Sequence, residues 1–142
     1  MSLTTEQKIE LQVQKRIRQA EDELVTWIQS ALDSCKYGKS GKEKLEESQF
    51  RNLVSVADTT DSPEVVKNFL RYQVGRDEKW GRGKDSLAAK IIEDIDTKIK
   101  TTAQKISRDV QYDDFKVVWM ELIRRYLGYG ARYLTYKLKG EI

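Results

Sequence analysis

Apolar residues recur along this chain at steps of three and four, the spacing that places them on one face of a helix. Ile9, Val13, Ile17, Ala20, Leu24, Trp27, Ile28 and Ala31 form the first stripe, with no glycine or proline to interrupt it. It predicts one long helix from about Thr4 to Cys35, a rod of about 45 Å at 1.5 Å per residue. Two readings of this rod stay open: a surface extended toward a partner, or a core helix with a frayed end. Tyr37-Gly38-Lys39-Ser40-Gly41-Lys42 then reads as a flexible, basic connection.

A second helix runs to about Ala57 with Phe50, Leu53, Val54 and Ala57 on its inner face, and Asp58-Thr59-Thr60-Asp61 breaks it. Ser62-Pro63-Glu64 opens a third: a serine cap, proline at the first helical position and an acid favoured by the helix dipole. Its inner face takes Val65 or Val66, Phe69, Leu70 and Val74, and Gly75 is a stop signal. A fourth starts near Asp85 or Ser86 and carries Leu87, Ile91, Ile95, Ile99 and Ile106. Asp113 or Asp114 caps a fifth, carrying Phe115, Val118, Trp119, Leu122, Ile123 and Tyr126 and continuing past Gly128 and Gly130 toward Lys137. The expectation is an all-α, compact bundle of about five helices with a long N-terminal helix. One domain spans residues 1–142, with the long helix at 1–36 and the helical core at 43–139.

Composition narrows the chemistry. Hydrophobic residues make up 39% and charged residues 35% of the 142, which implies a modest core under a crowded charged surface. The net charge of +3 says little about partners, so local clustering has to. Cys35 is the only cysteine, which excludes an intrachain disulfide and suits a reducing cytoplasm. Lys8 and Glu10 interrupt any signal-peptide pattern, and no apolar run approaches a membrane span, so a cytoplasmic location without a membrane is expected. Histidine is absent, which removes the usual general base near neutral pH and the commonest zinc ligand, and excludes Ser–His and Cys–His nucleophiles.

Residues 68–85, NFLRYQVGRDEKWGRGKD, mix glycines with Arg76, Lys79, Arg82 and Lys84. A P-loop needs G-x-x-x-x-G-K-[ST] after a strand. Here Asp85 follows Gly83-Lys84, Glu78 stands where the first glycine belongs, and the preceding segment is helical. Glu93 and Asp96 lie one helical turn apart, and Glu43, Glu46 and Glu47 form another acidic row. Lys90, Lys98 and Lys100 interleave with the first pair, the pattern of a solvated face. No catalytic residue, metal site or cofactor is expected.

The basic residues point further. From Lys67 to Lys90 there are seven (Lys67, Arg71, Arg76, Lys79, Arg82, Lys84, Lys90) against three acids. Lys67 and Arg71 are spaced to share a helix face. In the last helix Arg124, Arg125, Arg132, Lys137 and Lys139 stand against Glu121 alone. Arginine forks on fixed helix faces suit the phosphates of RNA or DNA. The competing explanation is that they lie over core edges or pair with acids. Tyr126, Tyr129, Tyr133 and Tyr136 recur at helical spacing among these charges, open to base stacking or to helix packing.

Three segments together resemble one family. Ser48-Gln49-Phe50-Arg51-Asn52 is similar to its S-x-[IL]-R element, and Tyr72-Gln73-Val74-Gly75-Arg76-Asp77 to its Y-x-x-G-R element. Phe115-x-x-x-Trp119-Met120-Glu121 with Tyr126 resembles its late F-x-x-[FY]-x-E/Y-M-E helix and the tyrosine that follows. The family is the small helical subunit of the Csm-type (type III) CRISPR effector complex, and the resemblance covers roughly residues 48–137. It implies a non-catalytic helical bundle, self-associated in an array beside guide RNA and target RNA and touching other subunits of the complex. Arg51 and Arg76 inherit the positions expected to meet RNA, with Lys67, Arg71, Lys79, Arg82, Arg124, Arg125 and Arg132 as further candidates. Many members carry a histidine–lysine pair after the late tyrosine, where this chain has Leu127-Gly128. A helical adaptor or dimerisation module without nucleic acid is the alternative.

Overall fold

The structure is a computed structural model that describes residues 2–35, 45–77 and 79–140. All regular structure among these residues is helical. The basic connection expected at Tyr37 to Lys42, and Glu43 and Glu78, lie outside them.

The rod expected over Thr4 to Cys35 is two helices, α1 (Thr5–Gln19) and α2 (Glu21–Asp33), interrupted at Ala20. Ala20 has φ −87° and ψ −5°, away from helical ψ, and its N–H reaches both the Arg16 and Ile17 carbonyls at 3.1 Å. The cause is tertiary. α1 packs on α6 (Lys100–Val110), whereas α2 packs on α7 (Phe115–Thr135). Glu21, at the start of α2, accepts bonds from Arg125 Nη1 at 3.1 Å and the Tyr129 hydroxyl at 2.5 Å. Glu21, Asp22 and Glu23 also fill the first turn of α2, where a helix dipole favours acids.

α3 (Glu47–Thr59) and α4 (Pro63–Arg76) form a helical hairpin with a three-residue link, so the start of α3 lies beside the end of α4. Ser62 Oγ accepts from the Val65 N–H at 3.3 Å and Pro63 opens the helix, as the sequence predicts. Phe50, Leu53 and Ala57 of α3 and Val66 and Leu70 of α4 are buried. Val54, Phe69 and Val74 are only half-buried, and Val65 faces solvent. Gly75 does not stop the helix; it runs on to Arg76 and Asp77 takes the cap.

The fourth predicted helix is continuous but not uniform. α5 (Leu87–Asp94), capped by Ser86 Oγ on the Ala89 N–H at 3.1 Å, leads into a π-helical segment (Ile95–Ile99) and then α6. Leu87, Ile91, Ile95, Ile99 and Ala103 are all buried, each four residues after the last. In a 3.6-residue helix such a stripe drifts by about 40° per step and would rotate off the core. The wider π turn in its middle takes up the drift. There the Trp119 indole donates to the Ile95 carbonyl at 2.8 Å, a side chain inserted at the start of the segment.

α7 is the centre of the bundle and meets α1, α2, α3, α4 and α6. Trp119, Leu122, Ile123, Tyr126, Leu127, Gly130 and Leu134 are buried around much of its circumference, as a central helix requires. A Cβ at Gly130 would fall 2.7 Å from both Ile28 Cγ1 and Phe50 Cζ, so glycine lets α2, α3 and α7 approach there. Past Thr135 the chain continues as a second π segment (Tyr136–Gly140), so the last helix runs past Gly128 and Gly130 as expected and ends a few residues beyond Lys137.

Candidate nucleic-acid interface

The glycine-rich stretch after α4 is a turn built around a buried tryptophan. Trp80 is wholly enclosed and its ring lies 5.6 Å from that of Phe50. Gly81 and Gly83 have φ of +79° and +81°, the left-handed region open to glycine, and they swing the chain into the Ser86 cap. Arg82 and Lys84 therefore project from a pinned turn, and both are exposed.

The structure sorts the basic candidates into two groups. Lys67 does not share an outer face with Arg71. Its ammonium is buried between Asp96 at 2.7 Å and Glu64 at 2.8 Å. Burial works against that charge, but the two carboxylates outweigh it and raise the Lys67 pKa. Arg124 closes the end of α3: Nε donates to the Ala57 carbonyl at 2.9 Å, and Nη2 donates to the Thr60 carbonyl at 2.7 Å and to Asp61 at 3.1 Å. Arg125 bridges Glu121 and Glu21, each at 3.1 Å. Burial again opposes its charge and the two acids prevail, raising its pKa. Lys79 reaches Glu46 at 3.1 Å. These four side chains are engaged in holding helices together, the alternative the sequence left open.

Arg71, Arg82 and Arg132 are exposed and have no ion-pair partner among the described residues. Arg51 and Arg76 are exposed too, with side chains 64% and 57% accessible. Among the described residues each has one loose acid neighbour, Glu47 at 3.6 Å and Asp77 at 4.0 Å. The hairpin brings Arg51, near the start of α3, to the same end of the bundle as Arg71, Arg76 and Arg82. The Lys79–Glu46 contact marks that end. Lys139 reaches Glu47 at 3.4 Å, so the C-terminal part of the last helix arrives there as well, with Arg132 two turns earlier.

Three of the four C-terminal tyrosines are withdrawn from stacking. Tyr126 is fully buried and donates to Asp94 at 2.6 Å, Tyr129 is bound to Glu21, and the Tyr133 hydroxyl reaches Asp33 at 2.7 Å. Tyr136 stays exposed at 38%, with its ring 6.0 Å from that of Tyr133, and a more open aromatic lies outside that series: Tyr72, 57% exposed on α4. Its signal was present in the sequence, since Tyr72 is spaced away from Val66 and Leu70 on the helical wheel. Asp96, half of the acidic pair with Glu93, is taken by Lys67. Among the described residues no group of three or more His, Cys, Asp or Glu is placed to hold a metal ion. No helix there is long and apolar enough to cross a membrane.

Comparisons with protein-family models, curated proteins and solved structures found no match. The functional reading rests on the residues themselves.

Proposed function

We propose that this chain is a non-catalytic small subunit of a type III CRISPR ribonucleoprotein, holding the guide RNA–target RNA duplex through its phosphates. The observation that carries this reading is the gathering of Arg51, Arg71, Arg76 and Arg82 at one end of the α3–α4 hairpin, all exposed, with only Glu47 and Asp77 in ion-pair reach of them among the described residues. Arg51, Tyr72 and Arg76, which carry the family resemblance, all face solvent, so packing does not explain them. Arg76 also complements the C-terminal dipole of α4, but that leaves its donors free. Such contacts read backbone and shape, and base pairing supplies sequence.

The test compares wild type with an Arg51, Arg71, Arg76 and Arg82→Ala variant for binding to an RNA duplex across a salt series. Wild-type affinity should fall as salt rises and hardly vary with duplex sequence. The variant should bind more weakly, with a salt slope reduced by about one per lost contact. Equal affinity and slope would overturn the assignment. Copurification with guide RNA and the other complex subunits tests the ribonucleoprotein itself.

One observation favours a protein-docking module instead. Leu3, just before α1, and Leu11, in its first half, stand in water, and only Val13 and Ile17 of that helix are buried. Sedimentation of a Leu3→Ser plus Leu11→Ser variant against wild type distinguishes a self-association surface from an idle one.

A further inference from the structure

α4 has a second face. Its buried side is Val66, Lys67, Leu70 and Gln73. On the opposite side Val65, Phe69, Tyr72 and Arg76 follow one another at steps of four, three and four, a single stripe along the helix. Phe69 is half-buried, so the ring standing free is that of Tyr72. Arg76 lies four residues beyond it, about 6 Å along the axis. Gly75 sits between them, and a Cβ built there would meet nothing within 4 Å. A flat ligand therefore has open space beside the phenol and, at its edge, an exposed guanidinium held only by a 4.0 Å contact with Asp77 among the described residues.

We infer that Tyr72 and Arg76 form a nucleotide site, in which the phenol stacks on an unpaired RNA base and the guanidinium takes an adjoining phosphate. This rests on the RNA reading above and adds a residue class to it, since a stacking ring reads base faces that a duplex keeps covered. Paired bases in an A-form helix are stacked on one another, so the occupant is a single-stranded or extruded nucleotide. Charge selects nucleic acid over a protein partner. Arg71 and Arg76 are exposed on the same last turns of α4 and Arg82 is exposed in the turn that follows, while the apolar area on this stripe is limited to Val65 and the half-buried Phe69. A polyanion that also offers π faces fits both features.

Because Tyr72 is exposed, its substitution leaves the fold intact. Fluorescence anisotropy would follow wild type, Tyr72→Ala, Tyr72→Phe and Arg76→Ala against a single-stranded RNA, an abasic strand of equal length and a blunt RNA duplex. Tyr72→Ala should weaken the single strand by about 5- to 150-fold, the range for losing one stacked base. It should leave the abasic strand and the duplex unchanged, and Tyr72→Phe should bind like wild type. Arg76→Ala should weaken all three ligands and lower the salt slope by about one contact. An unchanged single-strand affinity in Tyr72→Ala, or an equal loss on the abasic strand, overturns the stacking site. A Tyr72→Ala variant that binds RNA normally but sediments differently makes the stripe a protein interface and overturns it as well. Wild type that binds none of the ligands overturns the RNA reading and this site together, whereas salt-dependent binding indifferent to Tyr72 overturns only the site.

Discussion

The Tyr126 hydroxyl donates a 2.6 Å hydrogen bond to the Asp94 carboxylate inside the bundle, tying the central helix to the residue just before the π segment. Burial raises the Asp94 pKa above the ordinary carboxylate value, and the Tyr126 bond and Lys98 pull it only partly back. A folded pKa above the unfolded one means that the folded state takes up the proton first. The contribution of Asp94 to stability is therefore fully present below the unfolded value of 3.8 and is lost as pH rises through the raised folded value.

Asp94→Asn keeps an acceptor for Tyr126 and removes the buried charge. The variant should be at least as stable as wild type at pH 7 in urea unfolding, and its advantage should shrink as pH falls toward 4. A variant that is less stable at pH 7, by an amount independent of pH, would contradict this. Tyr126→Phe leaves the carboxylate without its donor and should cost about 1–3 kcal/mol.

Two glycines in one helix should respond with opposite signs. Gly130→Ala forces a methyl to 2.7 Å from Ile28 and Phe50 and should destabilise by roughly 1–3 kcal/mol. At Gly128 a Cβ meets nothing within 4 Å, so Gly128→Ala should be neutral or stabilise by up to about 1 kcal/mol through helix propensity. Thermal melts of the two variants decide it; equal shifts would mean that α2, α3 and α7 are not in close contact there.

Arginines should separate by role. Arg124→Ala strips three bonds from the α3 terminus and should lower stability by about 1–3 kcal/mol. Lysine at that position cannot reproduce the fork, so Arg124→Lys should rescue little. Arg71→Ala and Arg82→Ala should stay within about 0.5 kcal/mol of wild type. Denaturant midpoints measure all four, and a stable Arg124→Ala would return that side chain to the candidates for RNA.

Core truncations should rank by burial. Leu122→Ala removes a fully enclosed side chain and should cost roughly 2–5 kcal/mol. Trp119→Ala should cost roughly 3–5 kcal/mol, losing the indole bond to Ile95 as well. Phe69→Ala, from a half-buried position, should cost clearly less than either. Unfolding free energies in the reverse order would mean that the outer face of α4 is packed.

Helix content, the Ser62-Pro63 start, the Ser86 start and the long last helix were all legible in the sequence, because local spacing and capping chemistry act within one or two turns. The break at Ala20 was not, since no local residue demands it. It follows from α1 and α2 packing on different helices and from Glu21 being claimed by Arg125 and Tyr129. The π segment left a trace in the four-residue spacing of Leu87, Ile91, Ile95 and Ile99, but its place was fixed by Trp119 reaching in from α7. The division of the basic residues was least legible. Sequence fixes which residues carry positive charge. Only the approach of Asp96 to Lys67, of the α3 carbonyls to Arg124 and of Glu21 to Arg125 decides which charges are spent inside the molecule, because those partners are distant along the chain.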